Sequence, residues 1–317
     1  MIMNRTIYGF LESCLLLAGG CVAGLCGCTN DAFTEPDAKD RNSLCIESVW
    51  IGNGQAQTRT AGYTLLAAGD MGVFLTNASG VTTYPTKDNL LYSYAGGSWQ
   101  TIPSLFLNPD NAEVCAYYPY NAAYTNSGAI PLQSGVYAAE NDLGYAVKKT
   151  VNNNVPQNSF AMQRAYAKLT LILKRGNVKD DCTVSSIVLG ATDKPGVKKS
   201  NTLNIATGTY GTAVAADNNK LVYSTNIALV KGGASVSCDY LLVPTTVSGG
   251  LPVSFMLNGR ERTVSVVVGS FITLAAGTHY TVTLSINGTS AVVTGATITA
   301  WTKDNAINNS GSAFPIM

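Results

Sequence analysis

The chain has 317 residues, of which 12% are charged, and a formal net charge of +1. Charge this sparse and balanced leaves no electrostatic footprint for nucleic acid or for an anionic membrane surface, which sets both aside as electrostatic partners. Solubility then falls to uncharged Asn, Thr, Ser and Gly, a composition suited to the exposed faces of β-sheets and the loops between them.

The N-terminus places Arg5 ahead of the apolar stretch 15–27, the basic-then-apolar order of a secretory signal. Glycines interrupt that stretch, and it falls short of the roughly 20 apolar residues that span a bilayer as a helix. It ends Leu25-Cys26-Gly27-Cys28, which resembles the lipobox of bacterial lipoproteins and makes Cys28 the lipidation candidate, with residues 1–28 as signal peptide. Ala18-Gly19-Gly20-Cys21 offers a second candidate, and an export signal without lipid remains open. Acyl chains on Cys28 would anchor a soluble domain to a membrane, each buried methylene contributing about 0.8 kcal/mol.

Residues 29–42 (TNDAFTEPDAKDRN) are polar and lack any apolar period, as expected of a flexible tether. From Ser43 onward short runs alternate apolar and polar residues between Gly, Asn, Pro and Asp, the signature of half-buried strands. Expected strands are 44–51, 71–76, 90–94, 113–118, 167–174, 183–189, 221–224, 235–243, 251–257, 262–268 and 279–286. No stretch sustains helical spacing. Gly96-Gly97 and Asn258-Gly259 mark tight hairpin turns, since Gly and Asn tolerate the positive φ of a type I′ turn. The chain therefore reads as all-β, with two tandem antiparallel β-sandwich domains at 43–160 and 161–317. The break is expected where VPQNSFAMQRA interrupts the strand pattern.

Four of the eight cysteines lie in the signal region, leaving Cys45, Cys115, Cys182 and Cys238 far apart and without metal-ligand spacing. Their pairing stays open, and small buried apolar residues is the simple reading. The lone histidine, His279, falls on the polar parity of its strand and is expected on a solvated face. No G-x-S-x-G elbow is present, and no spacing singles out a carboxylate pair among Glu113, Glu140, Asp142, Asp180, Asp181, Asp239 and Glu261. No enzyme, cofactor or metal is expected. Tyr84, Tyr92, Tyr94, Trp99, Tyr117, Tyr118, Tyr120 and Tyr124 crowd the first half, where they serve either strand packing or stacking on a sugar.

Several segments, in order, resemble the fimbrillin-like proteins, the type V pilins and their relatives from Gram-negative anaerobes. They are Asp70-Met71-Gly72-Val73-Phe74-Leu75, Cys115-Ala116-Tyr117-Tyr118-Pro119-Tyr120, Ala165-Tyr166-Ala167-Lys168-Leu169-Thr170, residues 277–284 (GTHYTVTL) and 296–301 (ATITAW). The resemblance implies two transthyretin-like domains, a lipoprotein of the outer membrane, and assembly with other fimbrial subunits by strand exchange, with adhesion as the outcome. In such pilins an Arg-specific protease removes the first strand and its lipid. Here Arg59, followed by Thr60, matches that site. The tail after Trp301 lacks a long alternating run, which leaves stalk, tip and anchor roles open. A surface lipoprotein that binds a host glycan or protein without polymerising is the alternative.

Overall fold

The computed structural model describes residues 42–52, 63–194, 196–247, 250–266, 273–287 and 291–301. In the first half the strands are β1 Cys45–Gly52, β2 Tyr63–Leu65, β3 Asp70–Asn77, β4 Lys87–Ala95, β5 Ser98–Gln100, β6 Ala112–Tyr118, β7 Ile130–Gln133, β8 Gly135–Val136, β9 Gly144–Val151 and β10 Gln157–Arg164. The second half begins with β11 Ala167–Arg175, β12 Cys182–Leu189, β13 Lys198–Asn204, β14 Thr209–Tyr210, β15 Val214–Ala215 and β16 Leu221–Leu229. It continues with β17 Val236–Leu242, β18 Thr245–Thr246, β19 Leu251–Leu257, β20 Arg260–Val266, β21 Thr273–Leu274, β22 Thr278–Ile286 and β23 Ala291–Ala300.

The protein is all-β, as the alternation predicts. The first sheet runs β10-β9-β6-β3-β4-β5-β1-β2 and curls until β1 also pairs with β10. Its enclosed face gathers Ile46, Val49, Met71, Val73, Leu75, Val114, Ala116, Phe160 and Met162 into one core. In the second half, sheet β23-β22-β11-β17-β8 faces sheet β16-β12-β19-β20. Leu169, Leu171, Val282 and Leu284 from one face meet Val184, Ile187, Val253 and Phe255 from the other, a sandwich core.

Strand β3 shows how period two distributes its side chains. Met71, Val73 and Leu75 enter the first core, while Phe74 points the other way into a third cluster with Tyr117, Ile130, Leu132, Leu203, Leu241 and Trp301. That third cluster draws on both halves of the chain. Strands cross between the halves as well, β7 pairing with β13 and β8 with β17.

Both expected hairpin turns form with positive φ at their two central residues, 58° and 88° at Gly96 and Gly97, and 46° and 75° at Asn258 and Gly259. Two features depart from the expected pattern. The segment expected to break the strand series contains β10, and two pairings are parallel, β1 with β10 and β11 with β22. Parallel partners sit far apart in sequence, so no local turn announces them.

Candidate functional site

The first strand, whose release the resemblance leads one to expect, is β1. One edge of it pairs with β10 from Cys45↔Gln157 to Gly52↔Gln163. Its other edge meets β5 at Ile46↔Trp99 and β2 from Trp50↔Leu65 to Gly52↔Tyr63. This strand therefore closes the first sheet, and both its rows of backbone groups are engaged.

Its side chains explain why it is held. Ile46, Val49 and Ile51 are at most 1% exposed. Ile46 and Val49 lie three apart, yet both point inward because the register against β10 shifts between Ile46 and Ser48. Ile51 packs so closely on β9 that a Cβ placed on Gly144 would come within 2.5 Å of its Cδ1. On the outer side the Trp50 Nε1–H donates to Ser48 Oγ at 3.1 Å, and the Ser48 hydroxyl donates to Ser159 Oγ at 3.0 Å. The strand's start is pinned by Leu44 N–H to Leu105 O at 2.8 Å and Cys45 N–H to Pro156 O at 3.0 Å. Taking β1 away would expose an apolar groove together with the unpaired edges of β10 and β5.

Cys28, Arg59 and Thr60 lie outside the described residues. In chain order Arg59 and Thr60 fall between β1 and β2.

The four later cysteines are free thiols. Cys115 and Cys182 are buried, Cys238 is partly buried and Cys45 is exposed. Burial pushes the Cys115 thiol up to about 12 and the Cys238 thiol up to about 11. The aromatic crowd of the first half is chiefly packing. Tyr92, Trp99 and Tyr117 are at most 4% exposed. The Tyr117 hydroxyl donates to Asn89 Oδ1 at 2.5 Å, and Tyr84 Oη accepts from Asn108 N–H at 2.8 Å.

His279 is half-buried rather than solvated. Its Nε2 lies 2.7 Å from Thr170 Oγ1, and that hydroxyl donates to Asp239 Oδ1 at 2.6 Å. Lys168 Nζ stands 3.2 Å from Asp239 Oδ2 and 4.2 Å from the centre of the Tyr137 ring. Strands β22, β11 and β17 are adjacent; Thr170 lies level with Asp239, and His279, level with Lys168, reaches Thr170 diagonally from the same face of the sheet. The alternation of each strand was legible, but nothing in the sequence pairs these three positions. Among the other carboxylates, Glu113 pairs with Lys148 at 2.9 Å, and Asp142 is buried in an ion pair with Arg164. The Arg164 guanidinium also stacks on Trp301, 4.2 Å from the ring centre. These groups hold strands together.

The Fimbrillin-like family matches residues 58–301. Among solved structures, a candidate cell adhesion protein from Bacteroides uniformis is 17% identical, with a TM-score of 0.56 over 82% of this chain and 100% of its own. A second from Bacteroides ovatus is 16% identical, with a TM-score of 0.58 over 83% of this chain and 99% of its own. A fimbrial protein from Bacteroides vulgatus is 14% identical, with a TM-score of 0.50 over 81% and 99%. Among curated proteins none matches the chain.

Proposed function

The chain belongs to the fimbrillin-like family, and from that premise we propose that it is a non-enzymatic subunit or accessory of a cell-surface fimbria that assembles by donor-strand addition and serves adhesion. The observation that carries this reading is β1. It is a strand with both edges paired and three fully buried aliphatic side chains, and it is joined to the rest of the sheet through the segment that holds Arg59.

Cleavage between Arg59 and Thr60 would free β1 at its C-terminal end, together with the tether and any lipid on Cys28. The vacated groove would offer backbone donors and acceptors along β10 and β5 and an apolar floor. An extended strand from a neighbouring subunit satisfies both needs at once. In this reading Cys28 places the precursor at the outer membrane, and the chain is organised as two transthyretin-like sandwiches divided near 160.

The burial of Tyr84, Tyr92, Trp99 and Tyr117 withdraws those rings from stacking on a glycan, which counts against the glycan-binding alternative. Mass spectrometry of the protein taken from its native surface tests the proposal. A mature chain that begins at Thr60 and sits in polymers supports it. A chain that still begins at a lipidated Cys28 within those polymers overturns strand release.

A further inference from the structure

Sheet β16-β12-β19-β20 has two edges of opposite character. At one, β20 opens with Arg260, Glu261 and Arg262, the charged guard that natural edge strands use against unwanted pairing. At the other, the nine residues of β16, LVYSTNIAL, carry neither a charge nor a proline. Among the described residues β16 pairs only with β12, so its outer row of N–H and C=O groups faces no strand.

The sequence of β16 matches itself when reversed. Laid antiparallel on a second copy about a two-fold axis at Thr225, Leu221 falls opposite Leu229, Val222 opposite Ala228, Tyr223 opposite Ile227 and Ser224 opposite Asn226. Apolar residues meet apolar ones and polar meet polar, the self-complementarity that a two-fold interface requires. Two local features agree. Val222 is 63% exposed and Val230 just beyond the strand is 47% exposed. Tyr223 and Ile227 pack only partly on the sandwich core, and the Tyr223 hydroxyl is buried without a hydrogen-bond partner. The register against β12 shifts where Thr225 and Asn226 lie, so the two apolar arms would carry the ladder and the polar centre would bridge them.

We propose that the β16 edge is a docking surface for a second copy of this chain, joining two sandwiches into one continuous sheet. This surface is on a different sheet from β1 and does not depend on strand release, so it is tested on the uncleaved chain. Light scattering on the full chain over a range of concentrations should show a monomer–dimer equilibrium. Val222 and Ala228 face solvent in the monomer, so charges there leave the fold intact, as circular dichroism would verify. Val222→Lys with Ala228→Lys places like charges opposite each other twice and should weaken dimerisation about tenfold or more. Val222→Lys with Ala228→Glu places opposite charges there and should restore it. A wild type that stays monomeric, a doubly lysine-bearing variant that dimerises like the wild type, or a Lys/Glu variant as weak as the Lys/Lys one would each overturn the proposal.

Discussion

Cys115 lies on β6 with its side chain in the third cluster, where the thiolate has no water to solvate it. Its thiol is pushed from 9.0 to about 12 by burial. The sign of the consequence is fixed. The folded state holds this proton more tightly than the unfolded chain, so stability is full below about pH 9 and falls as pH rises towards 12. Urea melts across pH 8 to 12 should show that decline, and Cys115→Ala should flatten part of it. The tyrosines Tyr117 and Tyr166, each pushed up to about 12, contribute in the same window from about pH 10. At Asp142 the stakes are larger. Removing its carboxylate leaves the Arg164 cation buried against Trp301, so Asp142→Ala should cost about 3–5 kcal/mol by chemical denaturation. Replacing both partners by apolar residues of similar size should cost far less.

At the scale of the element, β1 is joined to the fold by shape as well as hydrogen bonds. Ile51→Ala on the uncleaved chain should cost about 2–5 kcal/mol through the cavity it leaves. Gly144→Ala should cost about 1–3 kcal/mol, because its methyl group would press on Ile51. The two changes together should cost less than their sum, and a double-mutant cycle reads that coupling. Arg59→Ala should leave the native chain uncut between β1 and β2 and abolish its polymers, as N-terminal sequencing and electrophoresis of surface material would report. Eleven strands were legible, and β9, β13 and β23 were among those that were not. Alternation marked β3, β6, β11 and β22, and Asn-Gly and Gly-Gly marked two hairpins. Strand β10 was not legible, because QNSFAMQR mixes polar and apolar residues and its partner β1 lies about a hundred residues away. The inward turn of both Ile46 and Val49 was hidden too, since a register shift inside a strand leaves no compositional mark.

At the scale of the molecule, the third cluster packs side chains of the two halves into one core. Phe74 and Tyr117 come from the first half, Leu203 and Leu241 from the second, and Trp301 closes the cluster from the end of β23. Unfolding followed by tryptophan fluorescence and by circular dichroism should therefore give one coincident transition. Trp50 and Trp99 report on the first half and Trp301 on the junction. Trp301→Ala should lower stability by about 3–5 kcal/mol. It should also separate the transitions of the two halves, which differential scanning calorimetry would resolve.

What the amino-acid sequence determined by itself was class and kinship: an all-β chain of short strands with two tight hairpins, and ordered segments resembling the family to which it belongs. Each of these depends on neighbours in the chain, through period-two alternation or the φ preference of Gly and Asn. The tertiary structure alone decided that β1 closes its sheet in parallel with β10, that β7 and β8 reach into the second half, and that His279 meets Thr170 beside Asp239. It also decided that the charged β20 and the uncharged β16 form the two edges of one sheet. Those outcomes are set by register and burial between residues far apart in the chain, where one strand's pattern is compatible with many partners and only the packed core selects among them.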